Sequence, residues 1–171
     1  MDIFAKVTEE EKERGYIEVA FKVSEKENRS FDTEIERILL PKGIEVVSRE
    51  TILKLLKENN FEESQITDVH LPDSVVVVLD NCFENLPELW TFSTNRDTSN
   101  LQYIGNFAFA GCKKLYHADF PNSIRYIGTD AFNGAKVGDV NIMYLYSKVD
   151  FIAKDAFHIE EIMEKHIREG N

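Results

Sequence analysis

Apolar positions along the chain repeat in blocks. Ala-Phe recurs at Ala108-Phe109, Ala131-Phe132 and Ala156-Phe157, with Cys82-Phe83 as a near match, and the phenylalanine spacings are 26, 23 and 25. Five residues before each Phe stands an aliphatic: Val78, Ile104, Ile127 and Ile152. Eight residues before stands another: Val75, Leu101, Ile124 and Val149. Pro72 and Pro121 precede Phe83 and Phe132 by eleven, and Leu89 and Leu115 follow Phe83 and Phe109 by six. Offsets that agree across copies at a fixed period mark a repeat architecture. The register extends upstream, where Leu40-Pro41, Ile44, Val47 and Ile52 align with Leu71-Pro72, Val75, Val78 and Phe83. Residues 35–157 therefore read as five copies, the first degenerate.

Each copy changes character along its length. A leading segment alternates at period two, in Ile38/Leu40, Val69/Leu71, Phe92/Thr94, Ala118/Phe120 and Val140/Ile142. That period predicts a short strand with one buried face. Three residues before each first member lies another apolar residue, Ile35, Ile66, Leu89, Leu115 or Val137. Proline, where present, ends the strand because it cannot donate to a ladder. A turn and a second short apolar pair follow, and the Ala-Phe falls in a short helical or irregular turn such as Asp130-Ala131-Phe132-Asn133-Gly134. One copy buries too little alone, so copies must stack, with equivalent strands forming a parallel sheet.

Residues 101–115, Leu-Gln-Tyr-Ile-Gly-Asn-Phe-Ala-Phe-Ala-Gly-Cys-Lys-Lys-Leu, and 120–134, Phe-Pro-Asn-Ser-Ile-Arg-Tyr-Ile-Gly-Thr-Asp-Ala-Phe-Asn-Gly, carry a specific pattern. It resembles the leucine-rich repeats of the BspA type, in which a strand leads into I-P-x-S-V-x-x-I-G-x-x-A-F-x-G-C-x-x-L. The resemblance covers residues 69–157 strongly and 35–60 weakly. It implies an α/β protein, a short leucine-rich-repeat solenoid with a parallel concave sheet, and a binding role, in many relatives that of a surface adhesin. Asn85-Leu86-Pro87 and Ala135-Lys136 lack the Gly-Cys, so their turns are expected to differ locally.

A solenoid needs covered ends. Residues 1–34 are read as an N-terminal β cap. In it Ile17, Val19, Phe21 and Val23 alternate with Tyr16, Glu18, Ala20 and Lys22, an edge-type strand with one wet face. Thr8 before three glutamates marks a turn or helix start, and Glu25 to Asp32 a polar loop. Ser48 opens a helix through Ile52, Leu55 and Leu56. Residues 158–171 are read as a C-terminal capping helix, with Phe157, Ile159, Ile162, Met163 and Ile167 at helical spacing. Its polar face carries Glu160, Glu161 and Glu164, which argues against anionic lipid.

Charge narrows the function. The 171 residues include 31 acidic and 20 basic side chains, a net charge of −11 spread along the chain. Phosphate contacts need excess lysine and arginine, so direct nucleic-acid binding is not expected. The start of the chain lacks a basic segment and an apolar stretch, so the expectation is a cytoplasmic protein with no membrane association. Cys82 and Cys112 are then free thiols in a reducing compartment. Cys112 falls at the Gly-Cys turn of the repeat, where a small thiol packs against the next copy. His70, His117, His158 and His166 have no metal-ligand spacing. No nucleophile elbow, phosphate loop or zinc motif occurs. The expectation is no enzyme and no cofactor.

Function is then expected on the exposed side of the strands, where residues next to buried ones point the other way. One outward column is Arg37, Asp68, Thr91, His117 and Asp139, and the other is Leu39, His70, Ser93, Asp119 and Asn141. Trp90 and Tyr116 stand beside them, each after a repeat leucine, and aromatics are enriched at binding hot spots. Tyr103 and Tyr126 share a repeat position and are expected to stack. The favoured reading is a protein-interaction module, monomeric or weakly dimeric, whose concave face binds one macromolecular partner. Two alternatives stand beside it. One is a small acidic inhibitor, of the anti-CRISPR kind carried by phages and mobile elements, that blocks a basic nucleic-acid-binding groove. The other is an adhesin fragment.

Overall fold

The computed structural model describes residues 7–22, 33–138, 145 and 148–157. The expected C-terminal helix lies outside them, as do the polar loop at 25–32 and the strand pair Val140/Ile142. The chain winds as a short β-solenoid with a parallel sheet.

Thr8 caps α1 (Glu9–Arg14) through a capping box with Glu11. Two seven-residue strands follow, β1 (Tyr16–Lys22) and β2 (Thr33–Leu39). The chain then passes through β3 (Val46–Val47) into α2 (Arg49–Glu58), whose N-cap Ser48 accepts a bond from the Thr51 amide. Beyond α2 the repeats alternate between two sheets. The first receives β4 (Ile66–His70), β6 (Thr91–Ser93) and β8 (His117–Ala118). The second receives β5 (Val77–Val78), β7 (Tyr103–Ile104), β9 (Tyr126–Ile127) and β10 (Phe151–Ile152).

The second sheet is parallel throughout, in the order β10-β9-β7-β5-β3. Val47, Val78, Ile104 and Ile127 point into the core. This includes the degenerate first copy, whose Val46 and Val47 pair with Val77 and Val78 as the upstream register predicts. In that copy α2 replaces the Ala-Phe turn and puts Ile52 and Leu56 into the core.

The first sheet departs from expectation at one end. Its order is β2-β1-β4-β6-β8, so the N-terminal strand lies inside the sheet, antiparallel to both neighbours, rather than at an edge. The strand of the first copy, β2, does not stack on β4. A hairpin partner close in sequence competes with the repeat ladder, and pairing over seven residues gives β1 more ladder bonds than the short repeat strands offer. Ile35, the apolar residue three before Ile38, is 42% exposed. Regular antiparallel pairing sets it opposite Ala20 on the outward face. In β4, by contrast, the register shifts between Glu18 and Val19, so Thr67 is the extra residue, Asp68 stays opposite Glu18, and Ile66 and Val69 stay buried.

The third side of the coil is formed by the Ala-Phe turns. Phe83, Phe109 and Phe132 donate their amides to Ala108, Ala131 and Ala156 at 2.7–2.8 Å. Their rings stack in a row, Phe83 on Phe109 at 5.1 Å, Phe109 on Phe132 at 4.9 Å and Phe132 on Phe157 at 4.8 Å. The turn lacking Gly-Cys at Asn85 keeps the same backbone, contrary to expectation. Asn85 takes φ 57°, beside 72° at Gly111 and 78° at Gly134, because asparagine tolerates the left-handed region.

The Ile-Gly of the repeat has a local cause. Asp80 Oδ1 accepts the Asn106 amide at 2.8 Å, and Asn106 Oδ1 accepts the Thr129 amide at 2.9 Å. Gly105 and Gly128 leave room for these capping side chains of the copy beneath.

Both cysteines are buried and free. The Cys112 thiol donates to the Phe83 carbonyl at 3.0 Å. Burial pushes its pKa up to about 11, and it pushes Cys82 up further still. Thiolate is the reacting form. In the folded protein at pH 8, neither thiol should react with Ellman's reagent over minutes, and both should react in guanidinium. Rapid modification of either thiol in the native protein would contradict its structural role.

Candidate functional site

The outward columns converge on the first sheet, with β1 threaded through them. One row runs Arg37–Glu18–Asp68–Thr91–His117, and the next runs Leu39–Tyr16–His70–Ser93. Asp119 follows β8 directly, donating its amide to the Phe92 carbonyl, and is exposed. Asp139 and Asn141 lie outside the described residues. Arg37 and Asp68, expected as neighbours, are separated by Glu18. Tyr16 and Glu18 therefore lie on this face, where the repeat pattern does not place them. Their signal was present as the wet face of the alternating strand, but nothing in the sequence showed where that strand would insert.

At the β1 end the face is tied together by polar contacts. Arg37 Nε donates to Glu18 Oε1 at 2.8 Å, and its guanidinium lies 3.8 Å from Glu11 and 5.6 Å from the Tyr16 ring centre. Burial raises the Glu18 carboxyl above its ordinary range and the nearby Asp68 adds to this, while the Arg37 hydrogen bond and charge oppose it. Tyr16 stacks on His70 at 5.2 Å, and His70 Nδ1 lies 2.9 Å from Ser93 Oγ. Burial depresses the His70 pKa, with Asp73 opposing it, so the ring favours its neutral form. Tyr16 and His70 also line an open cavity of about 540 Å³ together with Val7, Lys12, Asp73 and Asn95.

At the other end of the sheet, just before β6 and β8, lie Trp90, 48% exposed, and Tyr116, 38% exposed, stacked at 5.6 Å with an angle of 18°. The His117 ring meets both edge-on. The Trp90 amide donates to the Thr67 carbonyl and the Tyr116 amide to the Trp90 carbonyl, so these aromatics occupy equivalent repeat positions. Gly138 comes next, donating its amide to Tyr116, and the Tyr116 ring lies over it where a Cβ would collide. The expected tyrosine stack also forms, on the second sheet. Tyr103 and Tyr126 lie 4.6 Å apart, and Phe151 continues the row at 4.9 Å.

A solenoid of stacked coils with aromatic and polar side chains arrayed on a sheet face defines a repeat scaffold, whose sides rather than a closed pocket meet other molecules. A family model for the BspA type leucine rich repeat region matches six copies over residues 44–163, and the chain belongs to that family. Repeats of this kind generally mediate protein interaction and are typically non-enzymatic. No curated protein and no solved structure matches the chain. Among the described residues, no helix is long and apolar enough to cross a membrane.

Proposed function

We propose that this chain is a non-enzymatic interaction module that binds one protein partner through the outer face of the first sheet. The observation that carries this reading is the exposed Trp90–Tyr116 pair at the β6–β8 end of that face. Large aromatics left in solvent on a repeat scaffold provide apolar area at low entropic cost when a partner covers them. His70, Ser93, Asp68 and Asp119 around them form the polar rim such an interface needs. The two buried free thiols suit a reducing, cytoplasmic setting.

The test is capture from nuclease-treated lysate of the native host at low and high salt. It compares the wild type with a triple variant, His70→Ala, Trp90→Ala and Asp119→Ala. A partner retained at high salt by the wild type and lost by the variant, with near-native melting of both, is the expected result. Equal capture by the variant would remove this face as the docking surface. Capture of a nucleic-acid-processing protein at low salt alone would favour the acidic-inhibitor reading instead, since screening would then control binding.

A further inference from the structure

Trp90 is the single tryptophan of the chain, and its two ring faces have different surroundings. Tyr116 covers one of them. The backbone order Thr67, Trp90, Tyr116, set by amide-to-carbonyl bonds of 2.7 and 3.1 Å, puts Thr67 on the side of Trp90 away from Tyr116. Thr67 is short, and its hydroxyl is shielded from water with no hydrogen-bond partner among the described residues. Asp68 lies in register between Glu18 and Thr91, the residue that follows Trp90. Arg37 is committed to Glu18, at 2.8 Å. No lysine or arginine among the described residues makes an ion pair with Asp68 or with Asp119, so the face keeps a surplus of negative charge.

From this geometry we propose that the exposed Trp90 ring and the Asp68 carboxylate together receive an arginine side chain from a basic segment of the partner. The proposal rests on the first sheet being the docking face and specifies what that face reads. A guanidinium is planar, stacks on an indole, and can at the same time donate two hydrogen bonds to a carboxylate. A lysine ammonium can use the charge but not the stacking plane. A nucleic-acid base could stack on Trp90, but its phosphates would meet Glu18, Asp68 and Asp119.

The indole N–H of Trp90 provides one resolved NMR signal in the ¹⁵N-labelled protein, and the probes are three peptides. These are acetyl-Gly-Arg-Arg-Gly amide, the same peptide with citrulline for arginine, and the same with lysine. The arginine peptide should shift the signal saturably, the lysine peptide should bind more weakly, and the neutral citrulline peptide should leave it in place. Asp68→Asn should weaken the arginine peptide about threefold or more, in keeping with loss of one partly exposed charge pair. Glu50→Gln on α2 removes the same charge elsewhere and should have no effect. Equal shifts by the arginine and citrulline peptides would overturn the proposal, as would equal affinities of Asp68→Asn and Glu50→Gln. If the triple variant loses its captured partner while the arginine peptide fails to shift Trp90, the arginine assignment alone falls. If the triple variant captures normally, the docking face falls with it.

Discussion

Phe109→Ala should destabilise the protein by about 3–5 kcal/mol, the range for deleting a fully buried phenylalanine. Phe109 has no exposed surface and touches aromatic rings on three sides, with centroids at 5.1 Å for Phe83, 4.9 Å for Phe132 and 4.7 Å for Phe92. Truncation therefore opens a cavity between two coils at once, and a repeat protein holds together only through such neighbour contacts. Domains of this size are stable by about 5–15 kcal/mol in total, so the variant approaches the limit of folding. Urea unfolding followed by circular dichroism measures the loss, and Phe109→Leu, which keeps more of the volume, should lose less. A loss under about 1 kcal/mol for the alanine variant would mean that the phenylalanine row is not a central support of the stack.

Gly128→Ala should be costly for a different reason, about 1–3 kcal/mol or more from overpacking. A Cβ at this position would lie 2.5 Å from Asn106 Oδ1, 2.7 Å from the Asn106 nitrogen and 2.9 Å from the Gly105 carbonyl carbon. Two of these are backbone atoms of the preceding copy, so relief requires that adjacent coils move apart. Their separation would also weaken the Asn106 cap on the Thr129 amide. Gly43→Ala is the control. Gly43 has φ +73° but nothing within 4 Å of the added methyl, so it should lose only the left-handed backbone strain, about 1–2 kcal/mol. Thermal melts of the two variants beside wild type separate the effects, and a Gly128→Ala melt equal to that of wild type would sink the close-packing account.

Much of this architecture was legible before any coordinates. A buried column must recur in each copy, since each coil buries its face only against the next. That constraint wrote Val78, Ile104 and Ile127, and the four phenylalanines, into the chain at matching offsets. The polar faces carry no such constraint. Exposed positions in a strand accept many residues, so the columns containing Asp68, Thr91 and His117 could be placed by alternation alone. Their neighbours across the sheet could not. The turn at Asn85 departs from the motif because the motif names Gly, whereas the backbone requires only a residue that tolerates positive φ.

By itself, the sequence determined the period, the core columns and the membership of the repeat family, because burial repeats with the coil and leaves an apolar residue at every turn. Only the tertiary structure decided that β1 enters the first sheet between β2 and β4. Alternation marks a strand but says nothing of which neighbours it pairs with, and that choice rests on long-range hydrogen bonds with no local signature. The insertion set Glu18 between Arg37 and Asp68 and stacked Tyr16 on His70. It thereby put Asp68 between Glu18 and Thr91 rather than beside Arg37.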